Sequence, residues 1–254
     1  MDVFWAAPPV SRTITALTFV QSALCYGGLL SGYHILFLPW HLFKLPPQIW
    51  RLATPFFLTG PNIGFLYDLY FMYTYSSALE NDAPLFSAPG DYFVYLLFVG
   101  TIIVLTAGLL LGGYVFTGAL ILAFAYTYAQ ENRGKKVRFF IINIPVVFLP
   151  WAILTLTLVM KGGHATAVEG TGILAAHLYQ FLVRLYPQFG GGRRIITTPG
   201  FVRRWFAGNR QAYRTYGTAY RPAQEPSQQS SRGWTSSFTD SWSARGAGRR
   251  LGGG

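Results

Sequence analysis

Six long apolar segments, at 14–32, 55–79, 92–113, 115–129, 139–160 and 166–185, constrain this chain more than any other feature. A helix needs about 20 residues to cross the ~30 Å hydrocarbon of a bilayer, so the fourth and sixth are short for a span. Only 11% of the 254 residues are charged, well below the roughly 25% of a soluble domain. The deficit points to a membrane protein. The fold expected is an all-α polytopic bundle of six transmembrane helices. Gly112-Gly113 leaves little room between the third and fourth segments, which predicts a tight helical hairpin there.

The distribution of charge orients such a bundle. With six spans and a cytosolic N-terminus, 17 of the 20 Lys and Arg fall on the cytosolic side. Lys44, Arg51 and Lys161 alone lie opposite. Positive residues are retained in the cytosol, so both termini are expected there. Met1 to Pro9 opens with Asp2 and lacks a basic stretch, unlike a cleavable signal peptide. The first apolar run reads as a retained span. Residues 187–254 carry a net charge of +9. Directly after a membrane helix, a tail of that sign suits anionic lipid rather than nucleic acid. Cys25 is the lone cysteine and reads as packing. The four histidines are scattered, so no metal site and no cofactor are expected.

Three domains follow from composition: a membrane domain at 1–186, an interfacial segment at 187–207 and a flexible cytosolic tail at 208–254. The first loop, 33–54, is too rich in Trp, Phe, Leu and Pro for a solvated loop and is expected at the membrane interface. Residues 198–207 place Phe201, Val202, Trp205 and Phe206 on one side of a short helix, with Arg203 and Arg204 away from them. That pattern fits a helix lying on an anionic surface. The tail beyond it is too poor in aliphatic residues to fold alone. Small residues four apart, Gly108/Gly112 and Gly172/Ala176, permit close helix approach, within one chain or between copies in a homo-oligomer.

Several stretches, in order and spacing, resemble the Derlin family, the rhomboid-like pseudoproteases of endoplasmic reticulum (ER) quality control. They are Pro8-Pro9-Val10-Ser11-Arg12, Gln48-Ile49-Trp50-Arg51-Leu52 with Thr54 and Phe56, and Phe71-Met72-Tyr73-Thr74-Tyr75 to Leu79-Glu80. Near the end come His177-Leu178-Tyr179, Tyr186-Pro187, Gly190-Gly191, Thr198-Pro199 and Arg204-Trp205. Ala176 stands where the family's small-residue pair usually ends in Gly. The resemblance implies a rhomboid-like bundle in the ER membrane that helps retrotranslocate misfolded ER proteins for ER-associated degradation. It also implies a membrane ubiquitin-ligase complex as a partner. The C-terminal Gly246-Ala247-Gly248-Arg249-Arg250-Leu251-Gly252, with Trp242 upstream, resembles the box by which Derlins engage the valosin-containing AAA ATPase. Glycines let an extended backbone lie on a partner while Trp242 and Leu251 anchor in pockets.

The candidate sites follow from where polar residues meet apolar runs. Trp50 and Arg51 read either as an interface anchor or as the pair that holds the first loop in the lumenal leaflet. Asn62 and Asp68 lie in the second span, and His177 and Gln180 in the sixth. An intramembrane carboxylate costs about 2.5–3.5 kcal/mol at the bilayer centre, so it should face protein or water. These positions either lock helices together or line a laterally open polar groove for a moving polypeptide, with Tyr67, Tyr70, Tyr73 and Tyr75 as its tolerant wall. A catalytic intramembrane protease would need a serine nucleophile within reach of a base such as His177. No serine occurs between Ser87 and Ser227, and Thr117 and Thr127 are poor substitutes. The chain is therefore expected not to be an enzyme. A small transporter or lipid-remodelling protein is the other alternative, although no internal repeat supports it. The sixth segment has only thirteen residues free of formal charge, Thr171 to Val183, about 20 Å of helix. Local bilayer thinning would relieve that mismatch.

Overall fold

Pro9 starts the first helix because its fixed φ suits a first turn that has no use for its missing N–H. This helix, α1, runs Pro9–Tyr26. No side chain of its own caps it. Glu80 does so from the far end of α2 (Ile63–Asp82), accepting from the backbone N–H of Val10 at 3.1 Å and of Ser11 at 2.7 Å, and from Ser11 Oγ at 2.7 Å. A carboxylate there meets the positive end of the α1 dipole. Behind it, Ser76 Oγ bonds Ser11 Oγ and pairs with Tyr92 Oη at 2.6 Å. Glu80→Ala is expected to cost about 1–2 kcal/mol. A lowered unfolding midpoint in lipid nanodiscs, with earlier proteolysis in α1, would show it.

The computed structural model describes residues 7–42, 47–88, 90–139, 142–189 and 196–207, all within the unit Met1–Tyr213. After α2, helix α3 (Asp91–Ile103) continues as a π-helical stretch to Leu110. It is followed by α4 (Thr117–Glu131), α5 (Leu149–Lys161) and α6 (Gly163–Gln180). Helix α6 carries on through π-helical turns at Phe181–Leu185 and a last turn at Tyr186–Phe189. Helix α7 is Gly200–Ala207. The described chain is mostly helical, and α3 with its π-helical stretch, Asp91–Leu110, is long and apolar enough to cross a membrane. Val146–Lys161 is a shorter apolar helix.

Helix α4 is the axis of the bundle. Every residue from Ala119 to Ala125 is buried, because α2, α3, α5 and α6 all pack on it. Its fifteen residues span only about 22 Å. Enclosed by other helices, it needs no long apolar run of its own. Helix α1 lies outside, against α2.

Several segment boundaries differ from expectation, beginning with α1, which runs from Pro9 to Tyr26 where 14–32 was expected. The second helix starts at Ile63 rather than 55, since Gly60-Pro61 and Asn62, at φ +56°, turn the chain first. The apolar run at 139–160 begins as a β-hairpin, an exception to the all-α expectation, with β1 (Lys136–Phe139) antiparallel to β2 (Ile142–Pro145). Register pairs Val137 with Ile144 and Arg138 with Asn143. Lys-Val-Arg-Phe alternates with a period of two, a strand signal; Pro145 ends β2, and Pro150 sits in the first turn of α5. Finally, α6 passes through the 186/187 boundary to Phe189.

Candidate functional site

Helices α5 and α6 form a hairpin about Gly162, whose φ of +83° reverses the chain in a single residue. Glycine takes that angle without steric penalty. The reversal brings Thr157 and Lys161, one turn apart on α5, against Glu169 of α6. Thr157 Oγ donates to Glu169 Oε2 at 2.6 Å and Lys161 Nζ to Oε1 at 2.9 Å. Glu169 rests on Gly118 of α4, where a Cβ would strike its carboxylate. From α2, Asp68 lines the same cavity, of about 110 Å³, together with Ile63, Gly64, Tyr67, Ile121, Ile153, Leu156 and Met160. Asp68 is buried, and its Oδ2 accepts the Gly60 N–H at 2.8 Å. Two carboxylates and one ammonium thus sit in a cleft between α2 and α5 whose walls are apolar. A second hollow of about 380 Å³ starts at the same Ile63 and Tyr67 and follows α2 past Leu66, Tyr70 and Phe71 to Arg138 of β1.

The four polar positions picked from the spans do not gather in that cleft. Asn62 is exposed ahead of α2, and Asp68 is the one of the four that lines the cleft. His177 lies more than two helical turns past Glu169 and is exposed rather than buried; its Nδ1 shares a 2.8 Å hydrogen bond with Tyr126 Oη of α4. Gln180 is buried, and its Nε2 has no hydrogen-bond partner among the described residues. Lys161 and Glu169 were missed. Their signal was present: two opposite charges eight residues apart at the ends of apolar runs, with Gly162-Gly163 between them.

Arg51 forms a second polar centre. It is wholly buried in the first loop and has no acidic partner among the described residues; Nη1 donates to the Tyr33 and Leu36 carbonyls at 2.7 Å each, and Nε to Gln48 Oε1. Its guanidinium also lies 5.3 Å from the centre of the Tyr33 ring. Carbonyl dipoles hold the charge. The neighbouring Trp50 points outward and is 49% exposed. The loop is no mere surface layer, because Ile35, Phe37 and Leu38 are buried. Gln21 Nε2 donates to the Thr54 carbonyl at 2.7 Å, and Thr117 Oγ to that of Leu58 at 2.6 Å.

The small-residue pairs take two different forms. Gly172 and Ala176 are buried, and a Cβ on Gly172 would overlap the Ala119 carbonyl of α4. Gly108 packs on aromatic rings instead, where a Cβ would come within 2.6 Å of Phe37. Gly112 lies past the end of α3 at φ +66°. In α7, Val202 and Phe206 turn inward, with Phe206 5.7 Å from the Phe93 ring, while Phe201 and Trp205 stay exposed. The apolar side expected to rest on lipid is therefore split, because half of it docks on the start of α3. Trp242, Gly246, Gly248, Leu251 and Gly252 lie outside the described residues.

Comparison with known proteins adds to this geometry. The model of the Der1-like family matches residues 7–200. Derlin-1 of Homo sapiens is 36% identical over 221 residues, covering 85% of this chain and 86% of that protein. Derlin-1 of Mus musculus is 35% identical over the same shares. Derlin-2 of Oryza sativa subsp. japonica is 28% identical over 214 residues, 79% of this chain and 83% of its own.

Proposed function

The chain belongs to the Der1-like family, and from that premise we propose that it is a non-catalytic ER membrane protein of ER-associated degradation. In this reading six helices, α1 to α6, cross the membrane as a rhomboid-like bundle with both termini cytosolic. Misfolded ER proteins pass along the α2–α5 cleft on their way to the cytosol. Outward-facing Leu17, Phe19, Leu97, Leu105, Val159 and Leu174 support the membrane setting, since soluble proteins rarely expose so much apolar surface. A thinned bilayer around the bundle belongs to the same reading.

The observation that carries the proposal is the charged, buried cleft between two helices with apolar outer faces. Polar groups there keep water and peptide groups at tolerable cost in an otherwise hydrocarbon environment. Proteolysis is disfavoured on a separate ground. Thr117 Oγ is committed to the Pro55 and Leu58 carbonyls and Thr127 Oγ to Tyr95 Oη, so neither serves as a nucleophile for His177.

Photocrosslinkers at Tyr70 and Leu156, in the full chain in native ER membranes, test the path. A misfolded membrane client is expected to label both positions well above Leu17 on the outer face of α1. Equal labelling at all three would remove the cleft from the route. Coupling to the cytosol is assigned to the tail: Trp242, Gly246, Gly248, Leu251 and Gly252 would engage a valosin-containing-protein-type AAA ATPase. Deletion of residues 242–252 is expected to abolish capture of that ATPase in a pull-down. Undiminished capture would count against the box. Anionic lipid under α7, a membrane ubiquitin-ligase complex and further copies of the chain complete the proposed partners.

A further inference from the structure

The α2–α5 cleft contains one cation of its own, and its placement says what else would fit there. Lys161 reaches in from the last residue of α5 and sets its ammonium 2.9 Å from Glu169 Oε1. Its side chain is 38% exposed, whereas that of Glu169 is 10% exposed. The carboxylates therefore belong to the wall, and the ammonium hangs at the mouth on a flexible stem. Asp68 and Glu169 come from α2 and α6, which fixes them to rigid elements on two sides of the cavity, and Gly118 lets Glu169 lie flat on α4. Two carboxylates share one ammonium in an apolar crevice, where Coulombic attraction is poorly screened.

We propose that Lys161 is an internal stand-in for a basic side chain of the polypeptide in transit. The Asp68–Glu169 pair accepts a client Lys or Arg in exchange for Lys161, so the cleft favours segments that carry a basic residue. The proposal rests on the cleft being the client path. Moving an ammonium or guanidinium through hydrocarbon is the costliest step for such a segment, and the carboxylates of the wall offset it. Lys161 meanwhile keeps Glu169 paired when no client is present, which avoids the cost of uncompensated buried charge.

The test uses the full chain in nanodiscs with a photocrosslinker at Leu156. Three apolar model segments are offered, identical except for a central Lys, Gln or Glu. The Lys segment is expected to crosslink about tenfold more than the Gln segment, the range of a charge-assisted hydrogen bond, and the Glu segment least. Asp68→Asn should pull the Lys yield toward that of Gln. Lys161→Met should raise the Lys yield, because the competing ammonium is gone, and Lys161→Arg should not. Should Lys161→Met fail to fold, Asp68→Asn alone still decides. Equal yields for the three segments overturn the charge preference while leaving the path intact. Failure of every segment to crosslink overturns both.

Discussion

Gly172→Val is expected to be the most destabilising single change in the bundle. Gly172 sits on α6 where it crosses α4, so close that a Cβ would fall on the carbonyl oxygen of Ala119. That atom belongs to the backbone of the most enclosed helix and cannot swing aside. Accommodating even one methyl means separating α4 and α6, which opens voids around Ala119, Ala123, Ala175 and Ala176, all buried. Overpacking costs roughly 1–3 kcal/mol where side chains yield; here backbone meets backbone, and about 3 kcal/mol or more is expected for valine. Gly170 lies two residues earlier on the same helix, and a Cβ there meets nothing within 4 Å. Gly170→Ala should be neutral or stabilise by up to about 1 kcal/mol through helix propensity. Unfolding midpoints of both variants in nanodiscs separate close packing from a general dislike of change in α6. A wild-type midpoint for Gly172→Val would refute the contact.

The second large effect is expected at Arg51. Arg51→Met keeps the volume but strips the donors from Tyr33, Leu36 and Gln48. Each carbonyl left buried without a donor costs about 1–3 kcal/mol, so a loss of about 3–4 kcal/mol is expected. Hydrogen exchange across residues 33–57 should rise with it, because Arg51 ties the start of that loop to its end. Arg51→Lys should recover part of the loss. A lysine supplies one point charge in place of a planar fork and cannot reach all three acceptors at once. Trp50→Phe should change stability by no more than about 0.5 kcal/mol, since half of Trp50 faces outward. If Arg51→Met and Trp50→Phe prove equally mild, the loop is held by its apolar residues and the guanidinium is dispensable.

Much of this was legible before any coordinate. The apolar runs located the helices, because a helix in hydrocarbon must satisfy its backbone internally and shows as an unbroken greasy segment. Gln48 to Leu52 singled out Trp50 and Arg51 as an interface anchor or as the holder of the first loop, and only the structure separates the two, with Arg51 buried on loop carbonyls and Trp50 facing outward. Glu80 appeared only as part of a matching stretch; its service as the cap of α1 depends on α2 ending beside α1's beginning, some seventy residues away in sequence. The hairpin at 136–145 was hidden by its own hydrophobicity. Phe139, Ile142 and Ile144 opened an apolar run, and the alternation with Lys136, Arg138 and Asn143 was the weaker pattern.

Sequence alone determined that the chain is a helical membrane-family protein and how its charge is distributed, since hydrophobicity and charge are properties of each residue. Only the tertiary structure decided which polar residues share a space. Asp68, Thr157, Lys161 and Glu169 lie on three helices and meet because α5 reverses at Gly162 and α6 can approach α4 over Gly118 and Gly172. His177 and Gln180, on that same α6, do not line the cavity where those four meet. Helical periodicity says which residues face alike on one helix, but which face meets a neighbour is settled by how closely two backbones can pack.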